Sequence, residues 1–294
     1  MTPEFTPISA LYIKEYKNLL ALGRCRASDY NFGNIWGWRE HFGLEWRLRE
    51  GLCWIRQTRP KTLGWAPVGD WQSHDWVSSA VLRAGGSFIR VPEELAALWD
   101  KARSGRTRIR ENRGQWDYQY KTLELATLSG NRFHKKKNLV NQFVKLYPFR
   151  YLPMTVDNLE EVLDLQKKWL LRLEKRSLAL EAEDLAVRRV LELWENIPGI
   201  TGGLIRIRDE AVAYTVGEET SPGILSVHFE KGLPGFKGVY QAINHCFSRV
   251  VAEIGEFSLI NRGQDLDDPG LRQAKESYNP VEYVKKCSVD ILPE

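Results

Sequence analysis

The chain has 294 residues, 43% apolar and 27% charged, a balance that excludes a disordered or fibrous chain and suits one or two globular domains. No run nears the roughly 18 apolar residues that span a bilayer, and Glu4 sits where a secretory leader carries positive charge. The net charge of +4 is uneven: residues 101–150 hold 13 Lys and Arg against 3 Asp and Glu, while the rest of the chain sums to −6. A polyanion would therefore meet one basic segment on a mildly acidic body.

In chain order, a helix around Ile8–Leu22 is followed by the strands Leu44–Arg49 and Leu52–Gln57, turning at Glu50-Gly51. A punctuated strand from Leu63 to Gly69, a helix from His74 to Ala84, the strand Ser87–Val91 and a helix from Pro92 to Ala102 complete the first half. A basic helix begins near Ser129. Beyond it come a strand from Tyr151 to Met154, a helix over Asn158–Leu173 and a second over Glu181–Glu195, stopped by Pro198-Gly199. The hairpin Leu204–Arg208 and Ala211–Gly217, the strand Ile224–Phe229, a Gly-rich loop and a helix from Val239 follow. Phe257–Ile260 returns to strand, Asp268-Pro269 caps and opens another helix, and Tyr283–Ile291 closes the chain. The economical reading is two copies of one plan: residues 1–128, a connecting helix at 129–148, and residues 149–294.

The C-terminal order resembles the GNAT acyltransferase fold, which implies an α/β (α+β) class with two tandem domains, mixed central sheets and flanking helices. In that fold the loop after the fourth strand opens a helix. Glycines there let backbone N–H groups approach a pyrophosphate closely. Lys231, Gly235, Lys237 and Gly238 meet that pattern loosely, with Tyr240 where Gly or Ala is expected. A plain strand-to-helix turn explains the loop equally well.

Two long phrases, WDYQYKTLELATLSGNRFHKKKNLVNQF (Trp116–Phe143) and NRGQDLDDPGLRQAKESYNPVEYVKK (Asn261–Lys286), resemble the phosphatidylglycerol lysyltransferase C-terminal-like family. Asn31 to Trp36 (NFGNIW) and Pro67-Val68-Gly69 are similar to it as well. The resemblance implies kinship with Fem and lysyl-phosphatidylglycerol synthase aminoacyltransferases. It suggests an aminoacyl-tRNA donor and an amine, hydroxyl or phosphatidylglycerol-like acceptor. An acyl-CoA donor and a non-catalytic binding protein on the same fold are the alternatives; no cofactor is firmly implied.

On the basic helix, Phe133, Val140, Phe143, Val144 and Tyr147 share one face, leaving outward positions among Arg132, Lys135, Lys136 and Lys137. These suit tRNA phosphates, CoA phosphates or an anionic headgroup, or simply solvation. Acyl transfer needs a base, oxyanion donors and an acid. Glu230, ending the strand before the loop, is the candidate base, and Tyr278 the candidate acid. Lys275, three residues before Tyr278, would favour tyrosinate or bind a carboxylate. Asn261, Gln264 and Asp265 leave a strand's C-terminal end, where α/β sites gather; Asp117 and Tyr118 are their candidate first-half counterparts, or turn residues. Glu230, Lys275 and Tyr278 each have a purely structural alternative. The five histidines show no metal spacing, and no GxSxG or Walker motif occurs. Cys25, Cys53, Cys246 and Cys287 form no CxxC pair and read as free thiols of a reducing cytoplasm.

Overall fold

Two seven-stranded sheets organise the chain, and each borrows one strand from the other half of the sequence. The computed structural model describes residues 4–172 and 177–294. The first stretch runs β1 (Thr6–Pro7), α1 (Ile13–Gly23), α2 (Phe32–Phe42), β2 (Leu44–Arg49), β3 (Leu52–Gln57), β4 (Leu63–Trp65), α3 (Ala80–Ala84), β5 (Gly86–Pro92), α4 (Glu93–Ala102) and β6 (Thr107–Glu111). The middle comprises β7 (Asp117–Lys121), α5 (Thr122–Thr127), α6 (His134–Leu146) and β8 (Phe149–Pro153). Then come α7 (Leu159–Leu171), α8 (Leu178–Glu192), β9 (Ile200–Ile207), β10 (Glu210–Ser221), β11 (Ile224–Gly232) and α9 (Val239–Ile254). The chain ends with β12 (Leu259–Asn261), α10 (Pro269–Glu276), β13 (Glu282–Val284) and β14 (Lys286–Ile291).

One sheet has the order β1-β2-β3-β4-β5-β14-β6 and the other, from its far edge, β8-β9-β10-β11-β12-β7-β13. Their pairings match step for step. Each sheet has three antiparallel steps, then one parallel step (β4 with β5, β11 with β12), then two antiparallel steps. The sixth strand is the borrowed one: β14 enters the first sheet and β7 the second. The architecture is thus mixed α/β with two mixed sheets flanked by helices, as the order of elements implies. The sheets do not divide cleanly at residue 128, because 117–121 pairs with 259–261 and 286–291 pairs with 86–92.

The hairpin turning at Glu50-Gly51 and the helix opened by Asp268-Pro269 form as the sequence predicts; the Asp268 carboxylate accepts the Leu271 N–H at 2.8 Å. The expected helix over Asn158–Leu173 is α7, and Leu173 lies outside the described residues. The expected helix from His74 to Ala84 survives only as α3. Asp70 accepts the N–H groups of Gln72 and Ser73, and Asp75 those of Val77 and Ser78, which gives the backbone turns in place of a helical ladder. The Trp71 and Trp76 indoles fix those turns by donating to the carbonyls of Pro67 and Trp71. No helix among the described residues is long and apolar enough to cross a membrane.

Candidate active site

Parallel strands β11 and β12 pair over only three residues, ending at Ser226 opposite Asn261. Beyond that point they part. β11 stays with β10 as far as Gly232. The chain after β12 stays with β7, since the Arg262 N–H donates to the Tyr118 carbonyl at 2.9 Å. Two facing strands that separate leave side chains between them with no ladder to fill the gap, and Glu230 and Arg262 meet there. The Arg262 guanidinium donates to Glu230 Oε1 at 2.8 Å, and Asn244 of α9 donates to Glu230 Oε2 at 3.4 Å.

Other elements close over this pair. Helix α10 ends at Glu276, and the following turn brings the Tyr278 ring against Arg262, with Cζ 4.8 Å from the ring centroid. Lys136 reaches from α6 to the same ring, its Nζ 4.3 Å from the centroid. Lys275 donates from its Nζ to the Arg262 carbonyl, and the Tyr120 hydroxyl donates to the Lys275 carbonyl at 2.8 Å. Desolvation, reinforced by the charge of Arg262, brings the Lys275 ammonium down to a pKa of about 7. Burial pushes the Tyr278 phenol up to about 12 despite Arg262 beside it, so it keeps its proton. Lys275 donates to a carbonyl rather than to the phenol, and burial favours the protonated ring over the tyrosinate considered from sequence. Lys136 is likewise depressed, by burial and then by Arg262.

The remaining polar candidates form two neighbouring networks. Tyr118 and Asp265 join directly, hydroxyl to carboxylate at 2.6 Å, with Arg113 and Arg272 also donating to Asp265. Burial opposes ionisation of Asp265, but the hydrogen bonds from Arg272 and Tyr118 outweigh it and hold the carboxyl well below the usual range. Asp117, Asn261 and Gln264 belong to a buried knot with Lys286, Asp29, Arg90 and Ser28. Lys286 is 0% exposed, and its ammonium bridges Asp29 and Asp117, so the borrowed strands β14 and β7 are tied together. Charges buried this deeply persist only when paired.

The glycine loop is engaged by α6. Gly238 adopts φ 83°, and a Cβ there would strike the Leu139 carbonyl, so the glycine is required by close helix packing. The Lys237 N–H donates to the Tyr147 hydroxyl at 3.3 Å, and that hydroxyl donates to the Gly235 carbonyl at 3.4 Å. Of the basic residues, only Lys136 joins the Glu230 cluster. Arg132 pairs with Glu124 at 2.5 Å, and Lys135 and Lys137 stand exposed. The structure thus brings together Glu230, Lys275, Tyr278 and Lys136. It leaves Gly235, Lys237 and Gly238 against α6, and divides the other polar candidates between two ion-paired networks.

Arg262, the hub of the cluster, was missed by sequence reasoning, although it follows Asn261 directly and a cation leaving a strand's C-terminal end was the available signal. Lys286, Asp29 and Arg90 were missed too. Nothing local marks them, because their partners lie 169 and 257 positions away for Lys286 and 61 for Arg90.

The family described as "Phosphatidylglycerol lysyltransferase, C-terminal" matches residues 21–289. The chain belongs to that family. No curated protein matches it. Among solved structures, a conserved protein of unknown function from Bacteroides thetaiotaomicron is similar at 27% identity and a TM-score of 0.90, covering 99% of this chain and 100% of that one. L-PGS from Bacillus licheniformis shares the fold at 15% identity and a TM-score of 0.65, over 95% of this chain and 91% of that one. FemX does so at 11% identity and 0.62, over 98% and 97%. Family membership makes this a transferase fold of the lysyl-phosphatidylglycerol synthase and Fem kind, and supports transferase activity in general.

Proposed function

We propose that the protein transfers an aminoacyl group from aminoacyl-tRNA to an amine or hydroxyl acceptor at the notch between β11 and β12. The observation that carries this reading is the meeting of Glu230, Arg262, Lys275, Tyr278 and Lys136 where the two strands separate. The acceptor nitrogen or oxygen attacks the ester carbonyl, its proton passes to neutral Lys275, and the carbon–oxygen bond to the ribose breaks. Tyr278 gives its proton to the departing ribose oxygen, and the proton held by Lys275 restores the phenol. A base with a pKa of about 7 suits neutral pH, and a phenol near 12 is an acid that remains loaded. Arg262 and Lys136 offer donors to the tetrahedral oxyanion. Glu230, held by Arg262 and Asn244, orients the guanidinium and in this scheme carries no proton.

The tRNA donor is supported by the exposed lysines of α6 beside the cluster, and by a glycine loop whose Lys237 N–H is engaged by Tyr147 rather than left free for a CoA pyrophosphate. Single-turnover assays with a charged total tRNA pool, scored for loss of the ester and for labelled acceptor, test the reading. Tyr278→Phe and Lys275→Ala should each abolish transfer with little change in Tm. Full activity in both variants would put the reaction elsewhere, and transfer from acyl-CoA but not from tRNA would overturn the donor.

A further inference from the structure

The charges around Arg262 do not balance. Arg262 from the exit of β12, Lys275 from α10 and Lys136 from α6 lie together, and of the three only Arg262 pairs with a carboxylate, Glu230 of β11. The other acids near Lys275 are committed: Asp117 to Lys286, and Asp265 to Arg113 and Arg272. Glu276, on the same helix, pairs with Arg113 at 3.3 Å. No acid from α6 offsets the surplus, since its sequence from His134 to Leu146 contains none, and on α5 Glu124 pairs with Arg132. Like charges gathered in a partly buried place cost free energy that an incoming anion returns.

We propose that this notch is an anion subsite, which admits a carboxylate or phosphate of the substrate beside Arg262, Lys136 and Lys275 and disfavours a cationic aminoacyl side chain. This rests on the reading of the notch as the reacting site. It departs from what the family's description alone suggests, because a lysyl group would bring a further ammonium against three cations. The Lys136 and Arg262 heads both lie on the Tyr278 ring, Nζ 4.3 Å and Cζ 4.8 Å from its centroid, close enough that the charge of Arg262 lowers the Lys136 pKa. The arrival of an anion also favours the charged form of Lys275, so binding strengthens as pH falls through about 7.

Isothermal titration calorimetry with the full chain tests this at pH 6.5 and 8.0. The probes are 3′-aminoacylamino-3′-deoxyadenosines carrying glutamate, alanine or lysine, and inorganic phosphate and pyrophosphate. A carboxylate source predicts glutamyl tighter than lysyl by about tenfold, the scale of one charge-assisted contact. A phosphate source predicts that phosphate or pyrophosphate binds and competes, with the lysyl probe still the weakest of the three. In either case affinity is higher at pH 6.5, and Lys136→Glu, on a half-exposed helix position, weakens the anion without lowering Tm. Preference for the lysyl probe, or failure of every anionic probe to outbind the alanyl one, would overturn the subsite. Anion binding without any transfer would leave the subsite standing and remove the transferase reading instead.

Discussion

The two sheets place an arginine at the same topological point and use it differently. Arg90 follows the last parallel pair of β4 and β5, Trp65 opposite Ile89, as Arg262 follows Ser226 opposite Asn261. Arg90 lies over the rings of Trp65 and Phe42, at 4.6 and 5.3 Å, and pairs with Asp29, which also takes Lys286. With Asp117 included, two cations meet two carboxylates, and Trp54, Trp65, Trp76, Phe88 and Trp99 pack the surrounding core. At the other junction three basic side chains gather about one carboxylate. The strands differ as well: β4 runs three residues and leads to a turn region, whereas β11 runs nine and leads into the sixteen-residue α9. One pairing order, carried out twice, has produced a charge-balanced joint and a notch rich in basic side chains. The fold alone does not say which is which; the count of charges does.

The largest expected effect breaks the neutral joint. Lys286→Met leaves Asp29 and Asp117 buried without their shared ammonium and should cost about 3–5 kcal/mol of stability. Urea unfolding measures it, and a loss under about 1 kcal/mol would mean that the knot does not hold the borrowed strands. Next, Trp65→Leu should cost about 2–4 kcal/mol through the space it empties. Transfer per folded molecule should stay unchanged, the reverse of what Tyr278→Phe should do. Equal loss of activity in both would erase the functional difference between the junctions.

Much of this was legible beforehand, for physical reasons that can be named. Hairpins such as Leu44–Gln57 and the Asp268-Pro269 helix start are local, set by turn and cap residues a few positions apart. Glu230, Lys275 and Tyr278 are candidates because strand ends and helix ends are themselves readable, and the structure places them near one another. Strand β7 was not readable. Asp117 and Tyr118 look like turn residues, yet β7 sits inside the second sheet, its position set by pairing with Asn261 and Tyr283 far along the chain. The helix expected over His74–Ala84 failed for the opposite reason: strong local aspartate turns beat a weak helical pattern. The basic segment divides between two elements. Arg108 and Arg110 lie on the edge strand β6, while the lysines lie on α6.

A smaller effect sharpens the charged junction. If neutral Lys275 is the base, kcat/KM for transfer, which reports the free enzyme, should rise about tenfold per pH unit up to about 7 and level above it. The sign follows from the ammonium being the inactive form, its pKa lowered from the usual 10.5. Lys275→Ala should remove the rise along with most of the rate. A profile that stays flat from pH 5.5 to 8 would take the base role away from Lys275.

The smallest expected effect separates the two kinds of lysine on α6. Lys135 and Lys137 are exposed, so alanine at both should move stability by less than about 0.5 kcal/mol. Lys136 differs, being half-buried against Tyr278 with its pKa lowered. If Lys135 and Lys137 touch tRNA phosphates, the double variant should flatten the slope of log Kd against log salt by about 1.4–1.8, the value for two contacts. Single-turnover transfer at saturating tRNA should be unaffected, because neither ammonium faces Glu230 or Arg262. Lys136→Ala should do the converse, slowing transfer while shifting the salt slope little. An unchanged slope in the double variant would remove the helix surface from tRNA recognition and leave the charged junction as the only reason for a cation on α6.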